Sequence, residues 1–237
     1  MKRPRGAIIP TYNRPDVLLR CVNAIGPQVD VLYIINNGEE LPDETFDQFN
    51  VNVVVNLSKV SPPNLSLFWN QGLDFIQGYV TSQPSEEMYA WLGVPVESRG
   101  QPATEWDVAI LNDDAIVPEG WFDAVSEAMR NAQGAAGCSG PVSVVHRDPG
   151  PVPLHTRLFG PAYIVAGELG LRGNEEIKWW YTDDWMDWES RKLGGTVMVT
   201  GFQVNHLHPN GNMTPELQVQ AAKDGEKFRE IYGMAPW

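Results

Sequence analysis

Short apolar segments alternate with helix-like segments along this chain, and several of the apolar segments end in polar residues. Residues 6–10, 29–35, 51–56 and 108–111 have the length and apolar content of buried strands. The spacing of apolar residues predicts helices between them. This alternation indicates an α/β fold in which helices cover both faces of a mostly parallel sheet.

The helices and later strands are predicted from the same periodicity. One helix opens at 14–16 and runs to Ile25, and further strands are expected at 142–145 and 196–204. Residues 80–105 have no clear period and are rich in Pro, Ser, Gly and Glu, which predicts an inserted surface segment. The other expected helices are 65–76, 120–132, 184–193 and 214–232.

Composition narrows the class of protein. The chain has 237 residues, 43% of them apolar, which suits a well-packed globular domain. A formal charge of −13 argues against a protein that binds nucleic-acid phosphates over a broad surface. A metal ion or a helix N-terminus can still bind phosphate locally. Two cysteines make no disulfide framework, and no segment approaches the ~20 apolar residues of a membrane span. We expect a soluble, cytoplasmic protein.

Polar residues gather where the predicted strands end. The first strand leads into Thr11, Tyr12 and Asn13, the second into Asn37, and the fourth into 112–114, which reads Asn-Asp-Asp. Ligands of parallel α/β sheets bind beyond these carboxyl ends. Neighbouring carboxylates at the end of an apolar strand repel each other and lose hydration, so water or a cation must surround them. A binding site is predicted at this edge.

Six segments together resemble the family 2 glycosyltransferases of GT-A fold. The resemblance runs from Gly6 to about His208, apart from residues 80–105. It rests on PTYNRPDVLLRCVNAI, IINNG, NLSLFWNQGLDF, ILNDDAIVPEGWFDAV, YTDDWMDWESRKLGG and VNHLHP, in that order.

The resemblance implies an activity and a division of the chain. The activity is transfer of one sugar from a nucleoside-diphosphate sugar, most often linked to UDP, to an acceptor hydroxyl with inversion. Residues 1–237 would form a single GT-A domain. Its donor-binding half would be about 1–115, its acceptor-binding half about 116–210 and its C-terminal helix 214–233.

The resemblance also implies a metal site. Asn112, Asp113 and Asp114 take the place of the family's Asp-x-Asp motif, where Asp114 would hold Mn²⁺ or Mg²⁺ against the two phosphates of the donor. Asn112 would contact ribose or metal. His206 would be a second metal ligand, with His208 as the alternative. The plainer interpretations are a turn before a helix for 112–114 and a surface role for the histidines.

Further donor contacts follow from the same resemblance. Thr11, Tyr12 and Asn13 would flank the nucleoside, and Asn37 replaces an Asp that commonly reads the base. Asn64 and Asn70 match two further motif positions, although Ser66 replaces a glycine of the family pattern. Asn64 can equally be a helix cap.

Three aspartates are candidates for the general base that takes the acceptor proton. Asp187 and Arg191 match the end of the family motif, but Asp183 and Asp184 lie one residue too early, so the resemblance leaves the choice open. We rank Asp184 first, Asp187 second and Asp183 third. Arg191 fits the motif and is expected to contact substrate. A salt bridge between Asp187 and Arg191, and helix capping by Asp183 and Asp184, are the structural alternatives.

Tryptophans crowd the segment before and within the same predicted helix. Trp180 and Trp185 are the expected saccharide contacts, since sugars stack on aromatic rings, but tryptophans at helical spacing can also be core anchors. The acceptor can be a protein, a small molecule, a lipid-linked glycan or a modified nucleobase. A nucleotidyltransferase and a catalytically silent binding module for sugar nucleotides or glycans are the alternative functions.

Overall fold

A mixed α/β architecture is seen in a computed structural model, which describes residues 3–81, 103–140, 143–158, 160–208 and 214–236. Short 3₁₀ turns connect several of its elements. The α-helices of these residues are α1 (Pro15–Ile25), α2 (Leu65–Thr81), α3 (Trp121–Asn131), α4 (Thr182–Leu193) and α5 (Pro215–Tyr232).

The strands form one large sheet and one small one. The large sheet has eight strands in the order β3-β2-β1-β4-β8-β6-β9-β7, and β5 pairs with β10 in the small sheet. The strands are β1 (Arg5–Thr11), β2 (Val31–Asn36), β3 (Asn52–Leu57), β4 (Asp107–Leu111), β5 (Ala115–Ile116), β6 (Ala136–Ser139), β7 (Val144–His146), β8 (Ala162–Ala166), β9 (Thr196–Val199) and β10 (Asn205–His206).

Parallel pairing brings the polar strand ends to one edge. Strand β1 is parallel to β2 on one side and to β4 on the other, with Thr11 opposite Asn36 and Ile8 opposite Ile110. Continuing the second register past Leu111 places Thr11 beside Asp113. The residues after β1, β2 and β4 therefore meet at the same edge of the sheet.

Alternating side chains bury both faces of the sheet. In β1, Ala7 and Ile9 face a core shared with α1 and α3, whereas Ile8 faces a core shared with α2. Met186 of α4 extends the second core. Because neighbouring residues face opposite sides, β1 is apolar from Gly6 to Pro10, and helices are needed on both sides of the sheet.

The predicted fold class is confirmed, with corrections to two elements. Helix α2 continues past the predicted end at Ile76 to Thr81. The single strand predicted at 196–204 is wrong, because β9 ends at Val199 and the chain turns at Gly201, whose φ is +89°. Most of the predicted 80–105 insertion, residues 82–102, lies outside the described residues, as does residue 142 of the predicted 142–145 strand.

Two strands of the large sheet had no counterpart in the sequence prediction. Strand β8 runs antiparallel between β4 and β6, and β6 is parallel to β9. Strand β6 reads AGCS, and small residues of this kind do not indicate a strand. None of the helices in the described ranges is both long and apolar enough to cross a membrane.

Gly72 lets α2 approach β1. A Cβ atom on Gly72 would lie 2.7 Å from side-chain atoms of Ile8, closer than real contacts allow. We expect Gly72→Ala to lower the free energy of unfolding by about 1–3 kcal/mol, because the helix or Ile8 must move. Urea unfolding measures the change.

A second glycine of the same helix is the matched control. Gly78 is exposed, and a Cβ there would meet nothing within 4 Å. Gly78→Ala should be neutral or stabilising by up to about 1 kcal/mol, since alanine favours helix. Equal destabilisation by both substitutions would contradict the close approach of α2 to β1.

Candidate active site

The carboxylate of Asp113 joins the ends of β1 and β4. It accepts a hydrogen bond of 2.8 Å from the hydroxyl of Thr11 and one of 3.2 Å from Nε of Arg14. A second guanidinium nitrogen of Arg14 binds the other carboxylate oxygen, so the contact is bidentate. Asp113 is only 3% exposed, so its negative charge is compensated by Arg14 rather than by water.

The neighbouring Asp114 is held next to His206 by the small sheet. Ala115 of β5 pairs directly with His206 of β10, which places the imidazole beside the residue before β5. Nε2 of His206 lies 3.0 Å from Oδ1 of Asp114. The main-chain N–H of His208 donates to Oδ2 of Asp114 at 3.2 Å, while the His208 side chain is exposed. The structure thus brings His206, rather than the side chain of His208, to Asp114.

The two aspartates differ in their protonation equilibria. Burial raises the pKa of Asp113 above its usual value, although Arg14 and Thr11 act in the opposite direction. Burial would also raise the pKa of Asp114, but His206, Arg14 and the N–H of His208 outweigh it and hold that pKa below its usual value. Asp114 is therefore the more readily ionised of the pair.

Asp114 and His206 are two side chains that could hold a divalent cation. Nε2 of His206 lies 3.0 Å from Oδ1 of Asp114, and no hydrogen bond to this oxygen is found from the described residues. The described part of the chain contains no cluster of three or more His, Cys, Asp or Glu side chains suited to a metal. Two protein donors suffice for Mg²⁺ or Mn²⁺ where phosphate oxygens and water supply the remaining ligands.

The loops after β1 and β2 are tied together at the same edge. Asn13 has a left-handed φ of 52°, and its side-chain oxygen accepts a 2.6 Å hydrogen bond from the N–H of Glu39. Gly38 has to lack a side chain, because a Cβ there would overlap Asn13. Tyr12 is 56% exposed, so its ring is available to a ligand. These features suit the predicted nucleoside side of the site.

Asn37 makes contacts that the sequence did not indicate. Its amide nitrogen donates to the carbonyl of Val60 at 3.0 Å, and its amide oxygen accepts from the N–H of Val60 at 2.8 Å. The side chain thereby fixes the loop after β3. These two contacts use one N–H and one oxygen lone pair, so the second N–H and the second lone pair of the amide are left for the predicted contact with a base.

The two asparagines of the α2 region hold the segment 173–175. Asn64 caps α2 by accepting from the N–H of Leu67 at 3.0 Å, and it donates to the carbonyl of Glu175 at 3.0 Å. Asn70 accepts from the N–H of Gly173 at 2.8 Å and donates back to its carbonyl at 3.0 Å. The structure places both residues as supports of the loop that leads to α4.

Each of the three aspartates of α4 forms a hydrogen bond or an ion pair with a residue between positions 157 and 160. Asp183 accepts a 3.0 Å hydrogen bond from the N–H of Gly160, and Asp184 forms a buried ion pair with Arg157. Asp187 accepts from the N–H of Leu158 at 3.1 Å. The N–H of Asn112 donates to the carbonyl of Pro161 at 2.8 Å, so this segment connects the acidic end of β4 to the start of α4.

Asp187 and Arg191 form the i, i+4 ion pair that was the structural alternative. Both side chains are fully buried, and Arg191 also donates to the carbonyls of Asp148 and Gly150 at 3.2 and 2.8 Å. Burial raises the pKa of Asp187 although Arg191 opposes the change. A fully buried pair of this kind does not face a substrate. Asp184 is also buried, at 3% exposed, whereas Asp183 is partly exposed.

The site contains two arginines, Arg14 and Arg157, that the sequence does not predict as site residues. Its pattern indicates Arg14 only as part of a helix start, and it gives Arg157 no role. No local sequence pattern indicates Arg157, because its partner Asp184 lies 27 residues away. Arg14 could have been found, since it follows the polar end of β1 and the nearby carboxylates require a cation.

The tryptophans of the 179–188 region divide between core and surface. Trp188 is 1% exposed and packs edge-on against Phe228 of α5, with ring centroids 5.0 Å apart, so it is a core anchor. Trp185 is partly exposed, and its indole nitrogen donates to the carbonyl of Arg172 at 3.1 Å. Trp180 is also partly exposed. Trp180 and Trp185 therefore keep surface that a sugar can contact.

Asp224 of α5 organises the chain just before α4. Its buried carboxylate accepts from the N–H groups of Lys178, Trp179 and Trp180 at 3.0, 2.8 and 2.9 Å. Gln220 donates to it at 2.7 Å. Tyr181 follows with a left-handed φ of 61°, and its ring lies against α5. One side chain thus determines how the chain enters the helix that carries the three aspartates.

We expect Asp224→Asn to lower the free energy of unfolding by about 1–3 kcal/mol. The amide nitrogen of asparagine cannot accept, so at least one buried N–H group loses its partner. Thermal or urea unfolding measures the loss. Glu226→Gln, an exposed change on the same helix, is the control and should stay within about 0.5 kcal/mol of the parent. Equal stability of both variants would contradict the role of Asp224.

Comparison with known proteins identifies the fold. No protein-family model and no curated protein sequence matches this chain. Among solved structures, S. aureus TarS 1–349 is 11% identical with a TM-score of 0.53, and the match covers 98% of this chain and 72% of that one. A longer TarS structure is 10% identical with a TM-score of 0.55, covering 98% and 44%. The structure of TarS 1–349 in complex with UDP is 10% identical with a TM-score of 0.51, covering 98% and 72%.

The likeness to TarS spans nearly the whole chain at very low identity. It therefore supports the α/β architecture with helices on both sides of a mostly parallel sheet, and the predicted GT-A fold class is confirmed. Functional assignments need the residues of the site itself, because one fold serves many activities.

Proposed function

We propose that this protein is a glycosyltransferase that uses a nucleoside-diphosphate sugar, with UDP as the carrier, and transfers one sugar to an acceptor hydroxyl with inversion. The observation that carries the proposal is the pairing of Asp114 with His206 at the carboxyl end of the sheet. TarS, whose fold this chain shares, is a glycosyltransferase, and one of its structures contains UDP.

The donor would lie across the ends of β1, β2 and β4. Exposed Tyr12 offers a ring for the nucleoside, and Asn13 and Asn37 hold the surrounding loops. Asp114 and His206 would hold Mn²⁺ or Mg²⁺ next to the diphosphate. When bound, such an ion neutralises charge that develops on the departing nucleoside diphosphate. Asn112 connects this end of β4 to the segment 157–160 through Pro161.

The acceptor would bind on the α4 side of the site. We assign the role of general base to Asp184, which is held by Arg157 at the start of α4, with Asp183 directly beside it. Asp187 and Arg191 take a positioning role, because both are buried and hold the segments 157–160 and 148–150 in place. Partly exposed Trp180 and Trp185 offer apolar surface for a sugar.

Donor binding is the first test. In calorimetric titrations, UDP and UDP-sugars should bind the wild-type protein in the presence of Mn²⁺. Asp114→Ala should weaken this binding by roughly tenfold or more, because it removes a metal ligand. Asp123→Asn, which breaks an ion pair at a site 67% exposed, is the charge-matched control and should bind like wild type. Absence of binding to wild type would favour the silent module.

The base is tested by turnover. Asp184→Asn should lower transfer to an acceptor, or hydrolysis of the donor where no acceptor is known, by a factor of about 10² to 10⁴, because base catalysis is typically worth that much. Its affinity for the donor should remain unchanged in calorimetry. Asp183→Asn is the comparison variant. A larger loss of turnover in Asp183→Asn than in Asp184→Asn would assign the base to Asp183.

A further inference from the structure

Arg14 is the one cation that contacts both aspartates at the end of β4 within the described residues. It binds Asp113 through two nitrogens, and its Nη1 lies 3.4 Å from Oδ2 of Asp114. The side chain is 23% exposed, whereas both carboxylates are nearly inaccessible. A guanidinium here offsets the repulsion between two buried negative charges.

The contacts of Arg14 with the two aspartates are unequal. Asp113 accepts two hydrogen bonds from Arg14 and one from Thr11, so this contact with Arg14 is the stronger of the two. The contact with Asp114 is single and long, near the limit for a hydrogen bond. Asp114 can therefore exchange Arg14 for another cation while Asp113 continues to anchor the guanidinium.

From this asymmetry we infer that Arg14 is a built-in counter-ion which competes with free divalent cations for Asp114 and binds the diphosphate once an ion is in place. The inference rests on the proposed function. Its consequence is that the ion and the nucleotide bind cooperatively: the positive charge of Arg14 repels a free ion but attracts the phosphates that arrive with it.

The test is a pair of affinities with opposite expected signs. In Arg14→Gln, calorimetry should show Mn²⁺ alone binding roughly tenfold more tightly than in wild type, because a nearby positive charge is removed. UDP, measured at saturating Mn²⁺, should bind roughly tenfold more weakly, because a phosphate ligand is lost. Damage to the fold would weaken both affinities together, and that result would overturn the inference.

Two further variants separate charge from geometry. Arg14→Lys keeps the charge but not the planar fork, so its affinity for Mn²⁺ alone should stay close to that of wild type. Arg5→Gln breaks an arginine–aspartate pair at the other end of the same strand and should change neither affinity. An affinity for Mn²⁺ alone in Arg14→Lys as high as in Arg14→Gln would overturn the role of charge.

A measurement on the unmodified protein keeps the inference testable even if Arg14→Gln does not fold. In wild type, Mn²⁺ should raise the melting temperature only slightly by itself and substantially when UDP is present. An equal rise with and without UDP would overturn the competition. If neither Mn²⁺ nor Mn²⁺ with UDP binds wild type, the metal-dependent part of the proposed function fails, and this inference fails with it.

Discussion

The parallel register between β1 and β4 is the contact on which the candidate site depends. It places Thr11 and Arg14, which follow the apolar residues of β1, beside the carboxylates that follow β4. A shift of the register by one residue would turn alternate side chains to the opposite face, and the buried charge of Asp113 would lose its partners. The apolar faces of β1 therefore determine the electrostatics at its end.

The buried carboxylates of the candidate site differ in how their charges are compensated. Asp113 and Asp187 are each neutralised by an arginine and hold neighbouring segments, whereas Asp114 retains an oxygen without a hydrogen bond in the described ranges. The pKa directions agree with this division: burial raises the pKa of Asp113 and Asp187, whereas the contacts of Asp114 together outweigh its burial and lower its pKa. Asp113, which holds neighbouring segments, thus lies beside Asp114, the proposed metal ligand.

The sequence predicted the elements whose pattern is local and failed where pairing partners are distant. The apolar runs of β1, β2 and β4 and the periodicity of the helices suffice for the fold class, and the polar strand ends suffice for the position of the site. Strand β6 was missed because AGCS owes its conformation to its neighbours in the sheet. Likewise, no local sequence pattern indicates the contacts of Arg157 with Asp184, of Asp224 with the N–H of Trp180 or of Asn37 with Val60.

The hydrogen bonds of Asp224 have a consequence for biosynthesis. The N–H groups that precede α4 are satisfied by a residue up to 46 positions further along the chain. At a translation rate of 5–20 residues per second, the entry to α4 would wait roughly 2–9 s for its carboxylate partner. On the proposed donor side, the contacts from β1, β2 and β4 are synthesised well before α4, whereas His206 of β10 follows it. Asp224 is thus the last of these contact residues to be synthesised, and the entry to α4 would be completed after the contacts at the ends of β1, β2 and β4.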